Sequence, residues 1–224
     1  MADCQQERWC LPRALIPEVA QEATNRYLDI YERIVGKPLA TADETATGGN
    51  VANRLVSNLV KAGLMKDAWV NIVMGSPADK EHCQKIRSFF EGYEVFTQLR
   101  VCSAHKNGEE IGPMAEVWNR SIEPGVIIAV AGLSNGLGGA LAANVNVPVI
   151  SCPPWKDYAE LAMNLNSSVI MPSGTPNLTV VRPDNAAQAA LRALNTPRLR
   201  ERLRQEIAAT KAKLRAADAE LKAL

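Results

Sequence analysis

Between Trp69 and Asn195, short apolar runs alternate with amphipathic segments, and this alternation constrains the fold more than any other feature of the chain. The runs are WVNIVM (69–74), VFTQLRV (95–101), VIIAVA (126–131), VPVIS (147–151) and LTVV (178–181). Several are nearly continuous Val and Ile with no polar alternation, the pattern of strands covered on both faces. Segments 79–91, 107–120, 135–145, 157–166 and 184–194 fall between or after them and predict helices. Strand, helix, strand repetition of this kind implies a parallel sheet in an α/β sandwich.

The flanks read differently. Residues 16–37 place Val19, Ala23, Tyr27, Ile30, Tyr31 and Ile34 at helical spacing, with Pro17 early and Gly36 and Pro38 at the end. TADETATGG (41–49) reads as a polar linker, and 50–64 as a second helix with Asn50 as a candidate N-cap. Two helices cannot make a domain, so they are expected to pack on something else. From Pro197 the chain reads as one long charged helix with Ile207, Thr210, Leu214, Ala217, Leu221 and Leu224 in a four-three seam. That seam suits either its own domain or a neighbouring subunit. The expected organisation is a helical extension and linker over 1–68, an α/β domain over 69–195 and a terminal helix over 196–224.

Twenty-five basic residues against 24 acidic ones give a net charge of +1, so bulk charge gives no pull toward nucleic acid or anionic membrane. Cys4, Cys10, Cys83, Cys102 and Cys152 are odd in number and widely spaced, with no C-x-x-C pair. A disulfide framework or zinc site is not expected, and a reducing compartment fits best. No secretory leader and no apolar stretch of about 20 residues is evident, so a soluble cytoplasmic protein is expected.

Ligands of open α/β sheets bind beyond the carboxyl ends of the strands. Here those loops are GSPAD (75–79), CSAHK (102–106), GLSNGLGG (132–139) and CPPWKD (152–157), all rich in small or turn-forming residues. Gly75 and Ser76 ahead of a helix could offer N–H groups and a hydroxyl to a phosphate, although a plain turn with Asp79 as helix cap would look the same. Glycines in 132–139 permit close backbone approach to a ligand or a helix. His105 is one of only two histidines and carries a group suited to proton transfer near neutral pH. Lys106 beside it could meet an anion. His82, among Glu81, Gln84 and Lys85, is expected on the surface. Cys102 and Cys152 have no evident activating base, so nucleophilic catalysis is not expected.

Taken together, VNIVMGSPADKEHCQKI (70–86), VCSAHK (101–106), IAVAGLSNGLGG (128–139), VPVISCPP (147–154) and MPSGTPNLTVV (171–181) resemble the aminoimidazole ribonucleotide carboxylase family of purine biosynthesis, in order and spacing. The lysine of SAHK and the SNG turn resemble its class II branch, which uses CO2 directly; class I rearranges an N-carboxylated isomer. The resemblance implies a flavodoxin-like three-layer αβα sandwich, a homo-octamer with sites shared between subunits, and no metal or organic cofactor. It also implies roles: Gly75 and Ser76 at the phosphate, Asp79 near the ribose, Ser103, Ala104 and Lys106 along a second side. Gly132, Ser134, Asn135 and Gly136 would face the imidazole and CO2, with His105 and Lys106 as the catalytic residues and His105 moving the proton. Two positions depart from the family pattern: Ala78 stands where a second serine is usual, and Leu133 where class II usually has arginine. Residues 16–37 resemble the last helix of SAICAR synthetase without its catalytic body, so no synthetase activity is expected. Three readings follow: carboxylation of 5-aminoimidazole ribonucleotide with CO2, mutase action on the N-carboxylated isomer, and a non-catalytic phosphoribosyl-binding or assembly module.

Overall fold

The computed structural model describes residues 17–36, 55, 58–60 and 62–222. Residues 1–50 and 51–224 form two units. In the first, helix α1 spans Pro17–Val35, starting one residue inside the expected segment 16–37 and ending two residues inside it. Most of the second expected helix, with its cap Asn50, lies outside the described residues.

The second unit alternates strand and helix as the apolar runs dictate. Its strands are β1 (Ala68–Met74), β2 (Val95–Val101), β3 (Gly125–Val130), β4 (Val149–Ser151) and β5 (Leu178–Thr179). Its helices are α2 (Lys80–Ser88), α3 (Ile111–Asn119), α4 (Gly136–Ala142), α5 (Tyr158–Val169), α6 (Pro183–Leu194) and α7 (Pro197–Lys222). All strand pairings are parallel, in the order β2-β1-β3-β4-β5.

Every residue of β1 and β3 is buried, because helices cover both faces of the central strands. Val70, Ile72 and Ile128 pack with Ile86, Leu191, Leu199 and Leu203 on one side. Alternate residues Val73, Ile127 and Ala129 pack with Met114, Trp118, Leu137 and Leu141 on the other. The two faces follow from the two-residue period of a strand. The result is a three-layer αβα sandwich with the flavodoxin-like strand order, as expected.

His82 departs from the surface position expected of it. It is half-buried, with Nε2 3.4 Å from the Cys152 sulfur. The inner face of α2 carries the buried Cys83 and Ile86, and His82 at its edge is drawn over the loop after β4. The terminal helix divides in two. Leu199 and Leu203 are buried on the domain, while Leu214 and Leu221 are 67% and 70% exposed. The helix thus packs on its own domain through turns that precede the expected seam, whose described members Ile207, Thr210, Leu214, Ala217 and Leu221 are all exposed; Leu224 lies outside the described residues. Among the described residues no helix is long and apolar enough to cross a membrane.

Candidate active site

The strand order reverses between β1, which is followed by its neighbour β2, and β3, which lies on the other side of β1. A crevice opens at such a point because the two connections leave the sheet in opposite directions. Gly75 sits at its floor: its N–H donates to Val130 O at 2.8 Å, and a Cβ there would come within 3.3 Å of the Ala131 Cβ. The missing side chain lets the loops after β1 and β3 meet.

Around this crevice lies a cleft of about 110 Å³ lined by Gly75, Ser76, Asp79, Ser103, Ala104, His105, Gly132 and Ser134, with Ala131 and Leu137. Eight expected site residues thus share one cavity. Ser76 Oγ accepts the Ala78 N–H at 3.2 Å and caps the short turn Pro77–Asp79. Asp79 makes no side-chain cap to α2, so the capping role belongs to Ser76 and the Asp79 carboxylate is left toward the cleft. Burial raises the Asp79 carboxyl above its ordinary value of 3.8, partly offset by the Ser76 backbone hydrogen bond.

His105 reaches the cleft on a tight loop that Asn107 closes. The Asn107 side chain accepts the Ser103 N–H at 2.8 Å, and its own N–H donates to Ser103 O at 3.1 Å. The exposed imidazole lies over the first residue of α4: a Cβ on Gly136 would come within 3.0 Å of Cε1 and 3.1 Å of Nε2. Gly136 is therefore the bed of the ring rather than a wall of the cavity. Lys106 is exposed and does not line the cleft.

Asn135 corrects the expectation that its side chain faces substrate. It is 2% exposed. Its Oδ1 accepts the Gly138 N–H at 3.2 Å, capping α4, and its Nδ2 donates to Ser151 Oγ at 2.8 Å and Ser168 Oγ at 3.0 Å. A carboxamide can satisfy both ends this way only by turning inward, so Asn135 builds the loop instead of lining it. Sequence reasoning missed Asn107, Asn164 and Ser167. The available signal was NLNSS (164–168), where polar residues at i, i+3 and i+4 lie on a helix face that should be apolar.

Among the described residues no group of three His, Cys, Asp or Glu side chains is placed to hold a metal ion. Burial pushes the Cys83 and Cys152 thiols up to about 12, with the charge of Asp79 adding at Cys83 and those of Cys83 and Asp184 at Cys152, so neither is a thiolate at neutral pH.

Comparison with known proteins agrees with the architecture. The family described as AIR carboxylase matches residues 69–216. A phosphoribosylaminoimidazole carboxylase of Archaeoglobus fulgidus is 35% identical over 136 residues, 60% of this chain and 74% of that protein. A crystal structure of Treponema denticola PurE superposes with a TM-score of 0.64 at 32% identity, covering 69% of this chain and 99% of that one.

The chain belongs to the AIR carboxylase family.

A mouse bifunctional phosphoribosylaminoimidazole carboxylase/phosphoribosylaminoimidazole succinocarboxamide synthetase is 36% identical over 168 residues, 73% of this chain but 39% of that protein. The chain thus spans about two fifths of that relative's length. The two positions expected to depart from the family pattern, Ala78 and Leu133, adjoin residues that line the cleft. Ala78 is exposed and its N–H is held by Ser76, so the turn keeps its shape without a second hydroxyl. Leu133 is 67% exposed and has φ +61°, a backbone region unfavourable to a residue with a branched side chain.

Proposed function

We propose that the protein carboxylates C4 of 5-aminoimidazole ribonucleotide with CO2, reversibly, without a metal or organic cofactor. What carries the reading is one observation. His105 and the Gly75–Ser76 turn line the same cleft, at the strand-order reversal of a chain in the AIR carboxylase family.

The exocyclic amine of the substrate makes C4 electron-rich, so C4 can attack CO2 directly. The new C–C bond leaves C4 bearing both carboxylate and hydrogen, with the positive charge on the amidine nitrogens. His105 takes that proton, and its electron pair restores the aromatic ring. In reverse, the imidazolium protonates C4 and the C–C bond breaks to release CO2. A positioned acid–base group of this kind contributes roughly 10²–10⁴-fold. The Gly75–Ser76 turn would hold the phosphate through backbone N–H groups, Asp79 would face the ribose, and Gly132 and Ser134 would border the imidazole and CO2. Lys106 is assigned to the approach of the anionic substrate.

A cleft of about 110 Å³ is smaller than the roughly 300–1,000 Å³ that encloses a drug-sized ligand. A site completed by a neighbouring copy, within a cytoplasmic homo-octamer, accounts for that shortfall. No affinity for nucleic acid or membrane is proposed, consistent with the net charge of +1.

Mutase action on the N-carboxylated isomer is the second reading, favoured by Leu133, which replaces an expected charge at the cleft rim. Each carboxyl source is to be supplied separately to the purified protein. Turnover with bicarbonate-derived CO2 supports carboxylation; turnover restricted to the N-carboxylated isomer assigns the mutase; ribonucleotide binding with neither marks a non-catalytic module.

A further inference from the structure

Helix α5 carries a polar inner face that reaches the cleft through its neighbours. Asn164 is fully buried. Its Oδ1 accepts the Leu133 N–H at 2.7 Å and its Nδ2 donates to Pro154 O at 2.7 Å, so one carboxamide ties together the loops after β3 and β4. One turn on, Ser167 Oγ donates to Leu133 O at 2.7 Å and accepts the Asn135 N–H at 3.3 Å. Both backbone groups of Leu133 are therefore held by side chains of α5.

Those bonds are made at the residue whose backbone most needs them. Leu133 has φ +61°, where an L side chain crowds its own backbone, and with most of its side chain in solvent it buries little in return. The residues on either side of it, Gly132 and Ser134, line the cleft. A Cβ on Gly132 would come within 3.4 Å of Asn164 Nδ2, so the loop lies beside this carboxamide at ordinary contact distance.

The geometry points to Asn164 and Ser167 as positioning residues of the carboxylation site: they hold Leu133 in its left-handed conformation and thereby aim Gly132 and Ser134 at the reacting ring. The catalytic consequence rests on the function proposed above. Neither side chain lines the cleft, so both act through the loop.

The test uses the full chain with Asn164→Leu, Asn164→Asp and Ser167→Ala, below the melting point of each. Leucine keeps the branched shape and loses both bonds; aspartate keeps the acceptor for the Leu133 N–H. Asn164→Leu is expected to lower kcat at least tenfold, with the ribonucleotide Kd within threefold because the phosphate turn follows β1. Asn164→Asp is expected to stay within threefold of the parent in kcat. Hydrogen exchange of the peptide covering 132–136 should quicken at least tenfold in Asn164→Leu and Ser167→Ala and stay near the parent rate in Asn164→Asp. Ser167→Ala supplies the answer if the leucine variant does not fold. Parental kcat and exchange in Asn164→Leu, or equal losses in the leucine and aspartate variants, would overturn the assignment. A parent chain without carboxylation would count against the proposed function instead, and the exchange rates alone would then decide the loop's dependence on Asn164.

Discussion

At the scale of single residues, His82 and Leu133 carry the clearest consequences. Desolvation first, and the charge of Lys85 second, lower the His82 pKa below its ordinary 6.5, partly offset by the Cys152 backbone. The folded chain thus favours neutral His82, and unfolding takes up a proton once the pH falls below 6.5. Stability should therefore drop as pH falls from about 6.5 through the lowered folded value. His82→Gln should flatten that part of the profile, read as the difference in melting temperature between pH 7 and pH 5. Leu133→Gly should raise stability by about 0.5 kcal/mol, the relief of left-handed strain less the extra chain entropy of glycine, measured by urea unfolding. His105 was legible as a candidate because one of only two histidines stands in the loop after a strand, between Ala104 and Lys106. Asn135 was misread for a physical reason: nothing in SNG tells whether a carboxamide turns toward a cleft or toward Ser151 and Ser168. Asn164 was hidden for the same reason, since its partners are 31 residues back and 10 residues back along the chain.

At the scale of elements, the continuous apolar runs and the helical segments between them located the strands and main helices of the α/β unit among the described residues, and β2 has the expected bounds, 95–101. The last two strands are shorter than their apolar runs. β4 begins at Val149, after Pro148, which has no N–H to give a ladder, and β5 ends at Thr179, opposite the last residue of β4. Composition reports burial, whereas strand assignment requires a partner. Helix α4 depends on a position that sequence marks only as one glycine among four. A Cβ on Gly138 would fall 2.3 Å from Ser151 Oγ and 3.2 Å from Asn177 Oδ1, inside the network that Asn135 caps. Gly138→Ala should cost about 1–3 kcal/mol by thermal or urea unfolding. Helix α7 divides by its anchors. Its first turns are fastened by Thr196 Oγ1 to Asp67 at 2.9 Å, an Arg198–Glu94 ion pair, and Arg202 stacked 3.7 Å from the Tyr93 ring centre, whose hydroxyl donates to Glu206. Leu203→Ala should cost about 2–4 kcal/mol, whereas Leu214→Ala should be near neutral in a dilute, dissociated chain.

At the scale of the whole molecule, the sheet order brings four chemically unrelated loops to one edge, and two of them, after β1 and β3, flank the crevice. Each loop alone permits a bland reading as a turn. Their convergence does not follow from any one of them; it follows from parallel strands, which put every strand-to-helix turn at the same end. The sequence could not supply the assembly, because the exposed α7 seam and the small cleft describe one chain and leave its neighbours unspecified. The proposed octamer should appear as eight times 24.3 kDa by light scattering, and a stable monomer with full activity would remove the need for a shared site. Most direct is the formation and loss of carboxylated aminoimidazole ribonucleotide in bicarbonate buffer without ATP, by the parent chain and by His105→Asn, with ribonucleotide binding measured on the same samples. Turnover by the parent, and none by a variant that still binds, is the expected result. Near-parental turnover by His105→Asn would contradict the assignment of the proton to that imidazole.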